Sequence, residues 1–289
     1  METDEVKEEI IEGIKETVKC LNCGNEYIGN FCPNCGQNAK TKRLKLKEII
    51  SDLTDSIVAG DNRSLRTCFA LICRPGHMIR EYLQGHRLHY LNPMQVLIWS
   101  VSIYALLSYV CDGDPFNFPD IPKDITISDD TPGKSFITLL IDIAKSLFTN
   151  KLYYMFLTAL LAVGPYWFTF RKYSIKRPDG ASLPLNHTEM FYLLIYQSCI
   201  EMIFAIILIP FSFINGADDF VKQISNYVDI IFSVIIIKQF YTLKWLKSIK
   251  LYIYTAILTV FNVILLVVVL ALLLVFAYGI FYGLREVFK

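Results

Sequence analysis

The chain has 289 residues and a formal net charge of +1; 54% of its residues are hydrophobic and 19% are charged. Ordinary soluble domains contain about 25% charged residues, and here the charges are concentrated near the amino terminus and in short gaps between long apolar runs. This distribution excludes one large soluble core and predicts a membrane protein. The near-neutral charge gives no reason to expect a nucleic-acid partner.

The amino terminus, METDEVKEE, has neither an apolar core nor a small-residue cleavage site, so we expect no removable signal peptide. Residues 1–19 are predicted to form an amphipathic helix, because Ile10, Ile14 and Val18 recur along one helical face. Such a helix either docks on a partner or rests on its neighbours, and the pattern favours the second.

Four of the eight cysteines form two C-x-x-C pairs: Cys20, Cys23, Cys32 and Cys35. Two such pairs on tight turns supply the tetrahedral thiolates of a structural zinc site, with no open position for catalysis. Gly24 and Gly36 follow the pairs, where each turn favours a positive φ. A redox motif would be one pair opening a helix in a βαβ unit, and disulfides require an oxidising compartment. Residues 20–40 are therefore predicted to form a zinc ribbon holding a structural Zn²⁺.

Residues 43–93 are predicted to be cytoplasmic amphipathic and interfacial helices. The segment 43–58 combines basic residues with an apolar stripe, which suits an anionic bilayer surface, although packing against the rest of the head fits equally well. Pro75 is favourable at the start of a helix and Gly85 at its end, so we expect a short helix over residues 76–84.

A polar cluster at Arg74–Pro93 precedes the first apolar run, and its arginines and tyrosines are predicted to contact lipid headgroups. The residues assigned to this interface are Arg74, His77, Arg80, Glu81, Tyr82, Arg87 and Tyr90. His77 and Glu81 are one helical turn apart, and His86 and His89 are three residues apart, so a second metal site stays open as an alternative. The favoured interpretation is an interfacial anchor, because arginines and tyrosines at a membrane boundary need no metal-binding or catalytic role to explain them.

Several motifs occur together here: C-x-x-C-G, F-C-P-N-C-G-Q, Thr67, Arg74-Pro75-Gly76, Arg80-Glu81-Tyr82, Gly85, Arg87, Tyr90 and Pro93. Their combination resembles a family of uncharacterised bacterial membrane proteins, domain of unknown function 3667, common in Bacteroidetes. The resemblance spans about residues 20–200 and includes the segment Asn186-His187-Thr188-Glu189, where His187 and Glu189 stand in the reverse of the family's order. It implies a multi-pass membrane protein with a zinc-ribbon head and no established activity.

Residues 94–285 are predicted to be a bundle of about five transmembrane helices, because the apolar runs can cross a hydrocarbon layer of ~30 Å. The runs lie near residues 91–111, 152–170, 188–213, 224–241 and 251–284. The fourth run is the weakest, since Asp229 and Lys238 leave only eight uncharged residues between them, and the fifth exceeds a straight crossing. The predicted fold is an all-α multi-pass membrane protein with a small amino-terminal zinc ribbon and amphipathic interfacial helices.

Lysine and arginine bias toward the cytoplasm sets the orientation of membrane helices. The gaps after the second and fourth runs are basic, whereas those after the first and third are acidic. The basic residues in these gaps are Arg171, Lys172, Lys176, Arg177, Lys244, Lys247 and Lys250. We therefore expect the protein in the bacterial cytoplasmic (inner) membrane, with the amino terminus and its thiolates in the reducing cytoplasm.

Two carboxylates, Glu201 and Asp229, fall inside apolar runs and are candidates for an intramembrane ion site. At 1.5 Å per residue each lies ~20 Å from the cytoplasmic end of its run, so both are expected at the same depth. Two carboxylates there should not both ionise without a proton or cation between them. Alternatively, both are neutral or bonded to Gln197, Ser233 or backbone carbonyls.

Three functions compete. The favoured hypothesis is a non-enzymatic scaffold or sensor, anchored in the lipid bilayer, whose zinc ribbon binds a cytoplasmic protein partner. The first alternative is an ion- or proton-coupled transporter or permeation path using Glu201 and Asp229. The second is a lipid-headgroup enzyme at the Arg74–Pro93 junction, which is the weakest because no catalytic triad order, phosphate-binding glycine loop or H-E-x-x-H helix occurs.

Overall fold

The computed structural model describes residues 17–39, 44, 63–111, 138, 150–176, 182–213 and 218–287. The helix predicted over residues 43–58 lies outside the described residues except for position 44, and so does most of the helix predicted over residues 1–19.

Two short antiparallel hairpins occur in the described residues. In the first, β1 (Val18–Lys19) pairs with β2 (Glu26–Tyr27), and in the second, β3 (Ser174–Lys176) pairs with β4 (Ser182–Pro184). The prediction of helix was therefore wrong for its last two residues, Val18 and Lys19. Their backbone groups pair across the hairpin that holds the first C-x-x-C turn, and this long-range pairing outweighs the helical spacing of their side chains.

Seven α-helices account for most of the described chain. They are α1 (Arg63–Cys73), α2 (Pro75–Gln84), α3 (Pro93–Cys111), α4 (Lys151–Phe170), α5 (His187–Leu208), α6 (Asp218–Tyr241) and α7 (Trp245–Val287). A 3₁₀ turn, Ile209–Phe213, extends α5. Five of the helices, α3 to α7, are long and apolar enough to cross a membrane. The all-α multi-pass prediction is confirmed, and the fourth run forms a continuous helix despite Asp229 and Lys238.

Helix ends follow local chemistry more closely than hydropathy. Helix α6 starts at Asp218 rather than at residue 224, and α7 starts at Trp245 rather than at 251, because polar residues continue each helix beyond its apolar run. Helix α2 has Pro75 in its first turn and ends at Gly85, whose φ is 112°. The predicted start and end signals of this helix are confirmed.

The core is centred on α5, which packs against α3, α4 and α6. Its residues Tyr192, Ile195 and Tyr196 are fully buried. By contrast, most of the apolar side chains that the structure describes on α7 are exposed. Its 43 residues correspond to about 65 Å at 1.5 Å per residue, roughly twice the hydrocarbon layer.

Helices α2 and α6 touch backbone to backbone at Gly76. The Gly76 N–H donates to Gln239 Oε1 at 3.0 Å. A Cβ at position 76 would lie 2.6 Å from the Gln239 Cβ, 2.6 Å from the Ile236 carbonyl oxygen and 2.7 Å from the Phe240 nitrogen. No side chain larger than hydrogen fits there without moving a helix.

We predict that Gly76→Ala destabilises the protein by about 1–3 kcal/mol through overpacking, seen as a lower midpoint of thermal unfolding in detergent. Gly164→Ala is the matched control, since a Cβ there meets nothing within 4 Å. An unchanged midpoint for Gly76→Ala would contradict the close contact.

Candidate functional site

The four predicted metal ligands converge in the ribbon. The Sγ atoms of Cys20, Cys23, Cys32 and Cys35 all lie within 4.8 Å of one another, and they form the one such group of metal-binding side chains among the described residues. Cys20 and Cys35 are 3.5 Å apart, as are Cys23 and Cys32. Four converging sulfurs can hold a metal ion without contributions from the rest of the protein.

The two C-x-x-C turns have the same backbone geometry. In the first, the Gly24 N–H donates to the Cys20 carbonyl and the Cys20 N–H donates to the Asn25 carbonyl; the second repeats both bonds between Cys32, Gly36 and Gln37. Gly24 and Gly36 have φ values of 75° and 79°, in the left-handed region that glycine tolerates. The predicted role of both glycines is confirmed.

The pKa values of two of the four thiols are shifted in opposite directions. The backbone N–H of Asn25 is the main cause that lowers the pKa of Cys23 to about 6. Burial, in contrast, raises the pKa of Cys35 to about 12. A cation bound by all four sulfurs would displace the remaining protons.

The ribbon is docked onto the end of α2. Gln37 Nε2 donates to the Gly85 carbonyl at 3.0 Å, and the His86 ring nitrogen lies 3.1 Å from the Asn22 carbonyl. Leu21 packs so closely that a Cβ on Gly85 would lie 3.0 Å from its side chain. Both C-x-x-C turns therefore contribute to the contact with the junction.

The junction contains a closed polar trio. Arg74 Nη1 donates to Glu81 Oε1 at 3.0 Å, and its Nη2 donates to the Tyr90 hydroxyl at 2.7 Å. That hydroxyl donates to Glu81 Oε2 at 2.6 Å. Burial, together with this hydrogen bond, raises the pKa of Tyr90 to about 12, so the phenol remains a donor at neutral pH. The trio ties α2 to the start of α3.

The rings of the junction face the protein rather than headgroups. Tyr82 and Tyr90 are 4% and 5% exposed, and Tyr82 packs edge-on against Tyr196 of α5 with centroids 5.4 Å apart. Lipid contact by these two rings was the wrong expectation, because the junction is folded into the core. Arg87 lies over the Tyr82 ring at 5.8 Å.

The alternative second metal site does not form in the described residues. Glu81 is held in the trio, the His86 ring faces the ribbon, and the His89 ring lies 3.3 Å from an Arg66 nitrogen. His77 is exposed on α2. These side chains point to different partners, so the geometry gives no support to an enzyme at the junction.

The segment that opens α5 is a helix cap. The Asn186 side chain accepts from the Glu189 N–H at 2.7 Å, while Glu189 Oε2 accepts from the Asn186 N–H at 3.0 Å. This is a capping box, which satisfies donors at a helix start. His187 stacks on Trp167 with ring centroids 4.6 Å apart. Helix capping therefore explains the position of Glu189, and ring stacking explains that of His187.

Glu201 and Asp229 meet between α5 and α6. Their carboxyls are in hydrogen-bonding contact. Asp229 Oδ1 also accepts from Ser233 Oγ at 3.3 Å and from Gln197 Nε2 at 3.4 Å. Two carboxyls in contact require a proton or a cation between them, since two bare negative charges repel strongly away from water.

The acid pair opens into a cavity of about 310 Å³ bounded by α4, α5, α6 and α7. Its polar lining comprises Thr158, Tyr166, Gln197, Ser198, Glu201, Asp229, Ser233, Tyr252 and Thr259. Sequence reasoning missed the hydroxyls from α4 and α7, because single hydroxyls in apolar runs carry little signal. The spacing of these residues was the available signal. Small or hydroxyl-bearing residues recur every three or four positions, at 158, 162 and 166 and again at 252, 256 and 259, which places each set on one helical face.

Comparison with known proteins adds one finding. The model of a family described as "Protein of unknown function (DUF3667)" matches residues 61–105. No curated protein and no solved structure matches the chain. The matched residues contain α1, α2 and about the first two thirds of α3. The resemblance to the domain of unknown function 3667 family is therefore confirmed, over the junction that follows the ribbon.

Proposed function

We propose that the protein is a membrane protein that conducts or transports a proton or small cation through a site formed by Glu201 and Asp229. The observation that carries this proposal is the contact of the two carboxyls at a cavity that also exposes hydroxyl and amide groups of an otherwise apolar bundle. Ionisable groups at membrane depth are costly, and they mark ion or proton pathways more often than structural sites.

The lining can supply the ligands that such an ion needs. Carboxylate, amide and hydroxyl oxygens are hard donors that suit protons and small hard cations. The Gln197 amide donates to Ser233 Oγ at 2.7 Å, which fixes one wall of the site. A proton shared by Glu201 and Asp229 can exchange for a cation without leaving two unpaired negative charges.

We propose that the ribbon end of the bundle faces the cytoplasm. The basic gaps lie beside the junction: Gln84 donates to the Lys176 carbonyl, and the Lys247 ammonium lies 5.1 Å from the centre of the Tyr173 ring. Lys238 reaches the same end, with its ammonium 4.4 Å from the centre of the Trp245 ring. One basic end of a helical bundle favours the cytoplasmic side.

We expect Glu201→Gln combined with Asp229→Asn to reduce cation flux to that of protein-free vesicles, because the paired charge that binds the ion is gone. Purified protein in liposomes would be assayed with a trapped pH dye and with sodium- and potassium-sensitive dyes. Glu26→Gln, on an exposed ribbon position, is the control for loss of a carboxylate outside the cavity. Equal flux in the double variant, or no flux of any of the three ions through the native protein, would refute the proposal.

We propose that the metal of the ribbon is a structural Zn²⁺. Four sulfurs leave no ligand position for water or substrate, and thiolate sets of this kind select zinc among abundant divalent ions. The docked contact with Gly85 means that a metal held there would also order the junction.

Metal analysis of the purified protein should find about one zinc per chain, and Cys23→Ser should lose most of it because one of four ligands is removed. Cys73→Ser is the control, since Cys73 is an exposed free cysteine outside the cluster. Equal zinc loss in both variants, or native protein that binds no zinc, would contradict the assignment.

A scaffold or sensor is the second candidate, supported by two apolar side chains exposed on the ribbon. Ile28 and Phe31 are 62% and 63% exposed, and neither belongs to the contact with Gly85 and His86. We propose that this face binds a cytoplasmic protein, since an aromatic and an aliphatic side chain are typical anchors of such interfaces.

If so, Ile28→Ser with Phe31→Ser should abolish recovery of a cross-linked partner from intact cells while zinc content stays unchanged. Glu26→Gln serves again as the control, because it alters a neighbouring exposed residue. Recovery of the same partner with the double serine variant would reject this surface.

A further inference from the structure

A second polar pair lies where α2 meets the carboxyl end of α6. Arg80 is half-buried, and within the described part of the chain its guanidinium donates no hydrogen bond and joins no ion pair. The guanidinium carbon lies 5.9 Å from the centre of the Phe240 ring. Burial lowers the pKa of Arg80, but an arginine remains charged at any physiological pH.

Tyr241 provides the matching donor. Only 8% of the residue is exposed, and its hydroxyl is buried without a hydrogen-bond partner. The ring is fixed by stacking on Phe170, with centroids 4.7 Å apart and planes 4° from parallel, and by contact with Tyr173 at 5.5 Å. A buried tyrosine hydroxyl almost always has a hydrogen-bond partner. The unpartnered hydroxyl of Tyr241 therefore indicates a ligand from outside the chain.

The fold places the two donors together. Gly76 and Arg80 are one helical turn apart on α2, and Gly76 contacts Ile236, Gln239 and Phe240 of α6. The guanidinium therefore lies beside the last residues of α6, within electrostatic reach of Tyr241. Glu81, the nearest acid in sequence, is already bound by Arg74 and Tyr90.

We propose that Arg80 and the Tyr241 hydroxyl bind a phosphate group, carried by an anionic phospholipid or by free phosphate. One half-buried positive charge and one buried neutral donor match an oxyanion with more than one acceptor oxygen. Lysines on the same end of the bundle, including Lys176 and Lys247, favour an anion there.

The test uses full-length protein stripped of lipid in neutral detergent. Thermal unfolding is followed while sodium phosphate, phosphatidylglycerol or phosphatidylcholine is added at constant ionic strength. We expect phosphate or phosphatidylglycerol to raise the unfolding temperature of the native protein. Arg80→Met and Tyr241→Phe should each weaken the apparent affinity about tenfold, the value of one charge-assisted hydrogen bond.

Controls separate this site from general attraction to a basic surface. Arg171→Met removes an exposed arginine, and Tyr173→Phe removes the hydroxyl of the neighbouring ring; both should respond as the native protein does. If Tyr241→Phe or Arg80→Met does not fold, Arg80→Lys, which retains the charge, provides the second comparison and should retain part of the affinity.

The outcomes also identify the source of the phosphate. A response to inorganic phosphate indicates free phosphate or a phosphorylated solute, whereas a response to phosphatidylglycerol alone indicates a lipid headgroup. The proposal is overturned if no ligand stabilises the native protein, if phosphatidylcholine does so equally, or if the folded Arg80 and Tyr241 variants keep full affinity. None of these results depends on Glu201 or Asp229, so this site and the cation pathway stand or fall separately.

Discussion

Helix α2 approaches α6 without an intervening side chain, because residue 76 is a glycine. This contact fixes where the rest of α2 lies, and α2 touches most other parts of the described structure. Its end receives the ribbon through Gly85, and its Glu81 binds Tyr90 before α3. Displacing α2 by the width of a methyl group would therefore disturb the ribbon contact and the start of the bundle together, since packed elements of this kind move as units.

Two polar clusters of the described structure, the trio at the junction and the acid pair, are explained by different balances of forces. The trio of Arg74, Glu81 and Tyr90 is internally satisfied, so it needs no ligand and acts as a structural link. The acid pair is satisfied only in part: Gln197 and Ser233 bond to Asp229, but no arginine or lysine compensates the charge within the lining of the cavity. Because its charge is compensated only in part, the acid pair is the candidate functional site, whereas the satisfied trio is a structural link.

Much of the architecture could be predicted from the sequence. Long apolar runs identified the five helices that are long enough to cross a membrane. The spacing of Cys20, Cys23, Cys32 and Cys35 identified the metal-binding group, and Pro75 and Gly85 marked both ends of α2. The burial of Tyr82 and Tyr90 could not be predicted, because an aromatic residue before an apolar run has the same composition whether it faces lipid or protein. The approach of Arg80 to Phe240 at the end of α6 could not be predicted either, because the two residues are far apart in the chain and meet through the contact at Gly76.

The family match covers residues 61–105, which include Gly76, the polar trio and Arg80, but neither the four ribbon cysteines nor the acid pair. The features argued for ion binding therefore stand on this chain's own geometry. Helix α6 nevertheless joins them physically to the matched segment, because it carries Asp229 in its middle and Gln239 and Tyr241 at its end. One continuous helix therefore connects the contact at Gly76 with the Asp229 carboxyl, although the junction lies outside the cavity.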